Sequence, residues 1–497
     1  LIELTLARIA EIVGGRLHRA DGSETVTGTV EFDSRKLSHG GLFVALPGER
    51  VDGHTFAAKA IEAGASGVLA ARAVDAPAVI VPPASANSGI SGIYALEADT
   101  DGSGAAVLAA MAALAAHVAA ELAADGLRVI GVTGSAGKTS TKDLIGQLLE
   151  PLGPTVTPPG SFNAEIGVPW TVLRADHDTR FLVLEMAARG AGHIANLCRI
   201  ATPSIGAVLN VGTSHVDEFG SREAIAEAKG ELPAALPADG TAVLNADDPY
   251  VSAMATRARV LSFGTGNNAE VRAEDIRADE LDRARFTLVT PDGRAEVALA
   301  LHGGHQVPNA LAAAAVAHAA GAGIAGIGEA LRSATPRSGK RMEVRTRADD
   351  VLVVNDAYNA SPEAVRLALK SLATMGRSAT PPRRTIAVLG AMAELGTESA
   401  RLHDEIGRLA VRLDIAKLIV VGEGARPVHT GATMEGSWGE EAVFVEDPDA
   451  AVRLLRAQLR PHDVVLIKAA NSLGFWRIAE AVLAEPTAAT TTDGGTK

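Results

Sequence analysis

The stretch GVTGSAGKTS (residues 131–140) follows a short apolar run at 129–132 and opens a helical pattern at Lys138. A strand, a glycine-rich turn and a helix beginning Lys-Thr make a phosphate cradle. The glycines let backbone N–H groups approach an anion, and the helix N-terminus adds a favourable dipole. Lys138 is placed to reach terminal phosphates and the Thr139 hydroxyl to meet Mg²⁺. The binding candidates are Gly134, Ser135, Ala136, Gly137, Lys138, Thr139 and Ser140. The common pattern wants four residues between its first glycine and the Gly-Lys pair. Counting back from Gly137 gives Val132, so the strict pattern fails; the glycines stand at 131, 134 and 137. The bland alternative is a glycine-rich turn between a strand and a helix.

Outward from this loop the chain reads as α/β. An alanine-rich helix (105–124) precedes the strand, and further apolar strands at 181–184, 207–209 and 242–244 each lead to a polar residue: Glu185, Asn210 and Asn245. That is the pattern of a mostly parallel sheet, whose ligands gather beyond the carboxyl ends of its strands. From about residue 335, strands at 351–354, 385–389, 418–421 and 464–467 alternate with helices, which predicts a second doubly wound unit. Residues 1–83 alternate short strands and helices. Residues 84–104, rich in Ser, Gly and Ala, read as a linker or inserted loop, and the tail 486–497 as disordered.

The 497 residues exceed a single hydrophobic core, and roughly 150 residues per domain gives about three. The expected fold class is therefore α/β with a small N-terminal α/β domain (1–104), a central P-loop domain on a mostly parallel sheet (105–334) and a C-terminal Rossmann-like domain (335–485). The formal charge of -13 argues against nucleic-acid or membrane-surface partners, which want a basic face. The single cysteine, Cys198, permits no intrachain disulfide and fits a reducing compartment. The longest apolar run, 105–120, is mostly alanine, contains His117 and reads as too short and weak to span a bilayer. No signal-peptide pattern is legible, the first residue is Leu1 rather than methionine, and the expected location is the cytoplasm.

Three residues outside the loop stand out. Glu185, just past an apolar strand, is placed to bind Mg²⁺ or orient water; taken alone it is equally a structural charge. His215, in NVGTSHVDEFGS, is by itself a hydrogen-bonded loop histidine. Lys229 is more informative. With Ser221 as N-cap, Ile225, Ala228, Lys229 and Leu232 share one helical face, which puts a lysine on an apolar stripe. Either its stem packs while its ammonium snorkels out, or the amine is desolvated with a depressed pKa. A neutral amine reacts with CO₂ to form a carbamate, which binds metal as a carboxylate does.

The phosphate loop, Glu185, His215 and Lys229, in this order, resemble the Mur ligase family, whose loop typically reads G-x-T-G-x-x-G-K-T/S. The likeness extends to FDSRKLSHGGLFVALPGERVDGHTFAAKAIEAGA (32–65), SFNAEIGVPWTVL (161–173), GHQVPNALAAAA (304–315), NDAYNASPEAV (355–365) and AMAELG (391–396). These stretches are most similar to the members that join D-alanyl-D-alanine to UDP-N-acetylmuramoyl-tripeptide; the D-N-P-R motif of the diaminopimelate-adding members is absent.

The resemblance implies an ATP-dependent ligase with Mg²⁺, those two substrates as partners, and a monomer. It implies a metal set of Thr139, Glu185, His215 and carbamylated Lys229. It places Asn309 at the adenine, Asp356 at the ribose and Arg341 at the γ-phosphate. Ser34 and Arg35 fall near the uridine diphosphate, and Asn163, Arg189, Tyr358 and Asn359 line the peptide cleft. Catalysis falls to Lys138, Glu185, His215, Lys229 and Arg341. Three positions depart from the family pattern: Ala187, Ala391 and the stretch 466–474, which carries Lys468 over only weakly. The alternatives are a ligase of the same family adding another amino acid or glutamate, and a P-loop NTPase acting as a switch or scaffold.

Overall fold

A computed structural model describes residues 1–48, 51–83, 99–212, 219–436 and 440–484. His215, the tail and most of the expected linker lie outside them. Three larger sheets organise the described residues, beside a two-stranded pair of Leu4–Thr5 with Thr25–Val26. The first has five short strands in the order Arg16–His18, Ala78–Ile80, Gly67–Ala70, Leu42–Val44, Val30–Glu31, parallel except at the first pair.

The second sheet has nine strands, ordered Gly293–His302, Arg283–Thr290, Val271–Ala278, Arg259–Gly264, Thr241–Asn245, Ile205–Val208, Arg128–Thr133, Phe181–Glu185, Thr155–Val156. The strands from Val271–Ala278 to Thr155–Val156 pair in parallel, and the two remaining pairs at the far edge are antiparallel. The phosphate-loop strand Arg128–Thr133 lies between Phe181–Glu185 and Ile205–Val208, with Val132 opposite Glu185 and Thr133 opposite Val208. The loop, Glu185 and Asn210 therefore meet at one carboxyl edge. All five residues of Phe181–Glu185 are buried, as strands covered on both faces require.

The third sheet carries six strands, ordered Glu343–Thr346, Leu352–Asn355, Val464–Lys468, Thr385–Leu389, Lys417–Val421, Ala442–Val445. Only the edge strand Glu343–Thr346 is antiparallel.

The alanine-rich helix is longer than expected, Ser103–Ala124, because Asp101 accepts a hydrogen bond from the Ser103 N–H (3.0 Å) and Asp99 one from the Ala105 N–H (2.8 Å). At 22 residues, with an 18-residue window of mean hydropathy 1.8, it is by length and composition long and apolar enough to cross a membrane, which corrects the expectation of a run too short to do so. Its Val107, Met111, Leu114 and Val118 are instead buried in a core shared with residues on both sides of it in the chain.

Candidate active site

Gly137 caps the helix Lys138–Leu149 at φ 83°. A Cβ there would lie 2.5 Å from Asn309 Oδ1, so glycine serves both the left-handed turn and a close approach. Gly131 does something else. It lies inside the strand, where a Cβ would meet Leu232 at 2.9 Å; it lets the helix Arg222–Ala235 pack onto the sheet. The cradle proper is thus Gly134–Gly137, and the first glycine belongs to packing. Asn210 tethers the cradle: its carbonyl accepts from Ser135 N–H (3.0 Å), its Oδ1 from Ala136 N–H (2.9 Å), and its Nδ2 donates to the Ala136 carbonyl (3.1 Å).

Glu185 is 1% exposed. Its two oxygens accept from Thr139 Oγ1 (2.8 Å) and Asn163 Nδ2 (2.7 Å). Lys138 donates to the Gly134 carbonyl (2.6 Å), leaving the ammonium folded over the loop. Burial lowers the Lys138 pKa, Glu185 partly offsets that, and Arg341 adds to it.

Lys229 sits on its helix as its sequence position predicts. Ser221 Oγ caps the Ala224 N–H at 3.1 Å, and Ile225, Ala228, Lys229 and Leu232 are buried together. Burial, with a smaller contribution from the charge of Lys138, pulls its pKa down to about 7. That rules against simple snorkelling and leaves a large neutral fraction near neutral pH.

The third sheet supplies the opposite wall. Arg341 lies with its guanidinium 4.0 Å from the centroid of the Tyr358 ring, and its Nε is buried without a hydrogen-bond partner. The Tyr358 hydroxyl is hydrogen-bonded to Ser161 across the cleft. Asp356 Oδ2 pairs with Lys468 Nζ (2.6 Å) and Oδ1 accepts from the Met342 N–H (3.1 Å). Between the walls is a cavity of about 350 Å³. It is lined by residues 135–140, Asn163, Glu185, Arg189, Asn309, Arg341, Asp356, Tyr358 and Asn359, all expected from sequence.

The lining also includes Ser161, His305, Gln306, Ser361 and Lys468, which sequence reasoning left without a role or carried weakly. The signal was available for Lys468, a charge closing the apolar run Val464–Ile467, and for His305 and Gln306, which fall inside the stretch resembling the family. Ser34 and Arg35 are not part of the cavity lining. They form a short 3₁₀ turn capped by Asp33, where Arg35 is exposed and paired to Asp33 (2.8 Å). The neighbouring Phe32 packs against Phe162 and Trp170, beside the segment that carries Ser161 and Asn163. Among the described residues no three His, Cys, Asp or Glu side chains gather as a metal cluster.

Residues 27–124 match the model of the Mur ligase family catalytic domain, 132–317 the Mur ligase middle domain and 340–471 the Mur ligase glutamate ligase domain. The UDP-N-acetylmuramoyl-tripeptide–D-alanyl-D-alanine ligase of Mycobacterium tuberculosis is 55% identical over 98% of this chain and 99% of its own length. The chain belongs to the Mur ligase family. The crystal structure of MurF from Acinetobacter baumannii superposes on this Mur ligase with a TM-score of 0.81 at 27% identity, covering 97% of this chain and 99% of that one. That of MurF from Thermotoga maritima in complex with ADP does so with a TM-score of 0.73 at 28% identity, covering 92% and 97%.

Proposed function

We infer that this chain is an ATP-dependent ligase that joins D-alanyl-D-alanine to UDP-N-acetylmuramoyl-tripeptide, in the synthesis of the peptidoglycan precursor. The observation that carries the chemistry is the convergence of the phosphate loop, Glu185, Arg341 and Asp356 on one cavity, in a chain 55% identical to a relative named for that reaction. A carboxylate is a poor electrophile. Its attack on the γ-phosphorus of ATP breaks the bond to ADP and gives an acyl phosphate. The dipeptide amine then attacks the acyl carbon, a tetrahedral intermediate forms, and phosphate leaves as the amide is made. Positioning and charge neutralisation dominate such chemistry. Lys138 and Arg341, facing the cavity from opposite walls, supply positive charge to the phosphates. Asn309 and Asp356 fit the nucleoside, and Asn163, Arg189, Tyr358 and Asn359 the peptide side. Ser34 and Arg35, away from the cavity, fit the uridine diphosphate end.

Mg²⁺ fits the donor set. The Thr139 hydroxyl and the Glu185 carboxylate are hard oxygen ligands, and Mg²⁺ typically takes one or two carboxylates and completes its shell with water and phosphate. Bound there, it supplies neutralisation of phosphate charge. Lys229 fits a carbamate, which forms as the neutral amine adds to CO₂ and releases a proton; His215 completes the proposed set. The domain limits 1–104, 105–334 and 335–485 and a cytoplasmic location, where ATP and nucleotide-linked sugars are available, belong to the same reading.

Mass spectrometry tests it. With ATP, Mg²⁺, UDP-muramoyl-tripeptide and D-alanyl-D-alanine, the expected product is the pentapeptide conjugate, with ADP formed in equal amount. No such conjugate here, with a product formed when glutamate or a single amino acid replaces D-alanyl-D-alanine, would assign the chain to another ligase of the family.

A further inference from the structure

Lys468 ends the strand Val464–Lys468 and is 2% exposed. Its ammonium donates to three acceptors: Asp356 Oδ2 at 2.6 Å, the Asn359 carbonyl at 2.8 Å and the Asp356 carbonyl at 3.4 Å. All three belong to one turn, residues 355–361, that faces the cavity. A buried ammonium is tolerated only when paired and hydrogen-bonded, and here the partners consume its donors.

The turn in turn grips the segment that carries Arg341. Asp356 Oδ1 accepts from the Met342 N–H, and the Tyr358 N–H donates to the Lys340 carbonyl at 3.2 Å. The Arg341 guanidinium lies over the Tyr358 ring. Lys340 and Met342, on either side of Arg341, have φ values of 62° and 49°. Left-handed backbone at two non-glycine residues is strained and persists where surrounding contacts over-determine it. Apart from the local bond of the Lys340 N–H to Glu343 (3.2 Å), the contacts on this segment named here run through Asp356 and Tyr358, and Lys468 ties Asp356 to Asn359 within the turn that holds them.

We propose that Lys468 is a positioning residue of the ligation reaction: it locks the 355–361 turn, and through it Asp356 and Arg341, in the geometry that receives ATP. The proposal rests on the ligase reading above and adds to it a residue that acts through others. Its expected signature is selective. Both ATP contacts, Asp356 and Arg341, depend on the turn, whereas the UDP-linked peptide meets it only through Tyr358 and Asn359 and is held as well by Ser34, Arg35, Asn163 and Arg189.

Lys468→Met keeps the length of the stem and removes the ammonium. The expected result is a KM for ATP raised about tenfold to a hundredfold, the range for loss of hydrogen bonds to a charged group, with the KM for UDP-muramoyl-tripeptide rising much less. Lys468→Arg, which restores charge and donors, is expected to recover most of the ATP affinity. A lysine of purely structural importance would lower only the amount of folded enzyme, so kcat would fall with both KM values unchanged. That result, an equal rise in both KM values, or an arginine variant no better than the methionine one overturns the proposal. If Lys468→Met does not fold, Lys468→Gln, with a neutral donor, carries the same comparison. Failure of the ligase reading is seen separately, as wild-type ATP turnover that ignores the UDP-linked peptide. Calorimetric titration of ADP into the wild-type and Lys468 chains then still decides the role of Lys468.

Discussion

The central sheet meets its two neighbours in opposite ways. On the N-terminal side one hydrophobic cluster runs without a break from Ile2 through the helix Ser103–Ala124 to Leu244 and Val251, and the aromatic rings of Phe32, Phe162 and Trp170 close the joint. On the C-terminal side the cores are separate. The third sheet packs its own residues from Met342 onward, with Leu281, among the described residues, the one partly buried hydrophobic residue of the central unit against them. What spans the gap is polar. Gln147 exchanges two hydrogen bonds with the backbone of Thr335 (3.0 and 2.9 Å), Arg337 is bidentate to Glu150 (2.5 and 2.7 Å), and Ser161 meets Tyr358. Apolar burial makes a fixed joint, while a polar cleft admits a charged ligand and can open and close around it. Substitutions on the two sides should therefore fail differently: shared-core changes through stability, cleft changes through catalysis.

The largest effect is expected at the proposed metal set, on a helix whose apolar face belongs to the shared core. Lys229→Ala should lower activity by about a thousandfold, the upper range for removing one electrostatic contributor. Added short carboxylates should partly restore it. Because burial pulls the pKa of the native lysine down to about 7, removing the charge should offset part of the packing lost with its stem, so activity should fall far more than stability. Turnover assays with and without formate or acetate, beside thermal melts, check both halves. Full activity in the variant would remove the carbamate from the account.

Next comes the fixed joint. Trp170 is 4% exposed, packs against both phenylalanines and donates from Nε1 to Glu31 (3.3 Å). Trp170→Ala should cost about 3–5 kcal/mol in denaturant unfolding, as large-to-small aromatic substitutions in cores do, while the folded enzyme keeps its KM for ATP. A shifted KM without lost stability would reverse the comparison.

The polar bridge should yield much less. Gln147→Ala and Arg337→Ala are each expected to change stability by about 1 kcal/mol or less, in line with single hydrogen bonds and exposed ion pairs, and to act mainly on kcat. The smallest effect is pH-dependent. Burial raises the pKa of Glu31, with the Trp170 hydrogen bond opposing it. Its proton is thus held more tightly in the folded than in the unfolded chain. The carboxyl costs stability once pH exceeds the ordinary glutamate value of about 4.3, most of all above the raised value. Glu31→Gln should raise Tm at neutral pH, and that gain should vanish toward pH 4.

Eight parallel strands of the central and third sheets were legible because strands buried on both faces read as apolar runs, as FLVL and VVLI do, whereas the parallel strands Thr155–Val156, Arg259–Gly264 and Ala442–Val445 were not read. The edge strands were not. Val271–Ala278, Arg283–Thr290 and Gly293–His302 mix Arg, Asp and Glu with apolar residues, since one face of that antiparallel end is solvated. Glu343–Thr346 escaped for the same reason. In the site, the cradle, Glu185 and Lys229 could be read from local pattern. The tie from Lys468 to Asp356 could not, because the two lie 112 positions apart and meet only through sheet pairing. Gly131 misled in the other direction: its spacing suggested the anion, and its function is to admit Leu232.

Phosphate release is the most direct measure of the claim that this cleft couples ATP to amide formation. Fast release is expected only when ATP, UDP-muramoyl-tripeptide and D-alanyl-D-alanine are all present, in equal amount with the conjugate formed. Release at the same rate from ATP alone would contradict the account and make the chain a nucleotide switch.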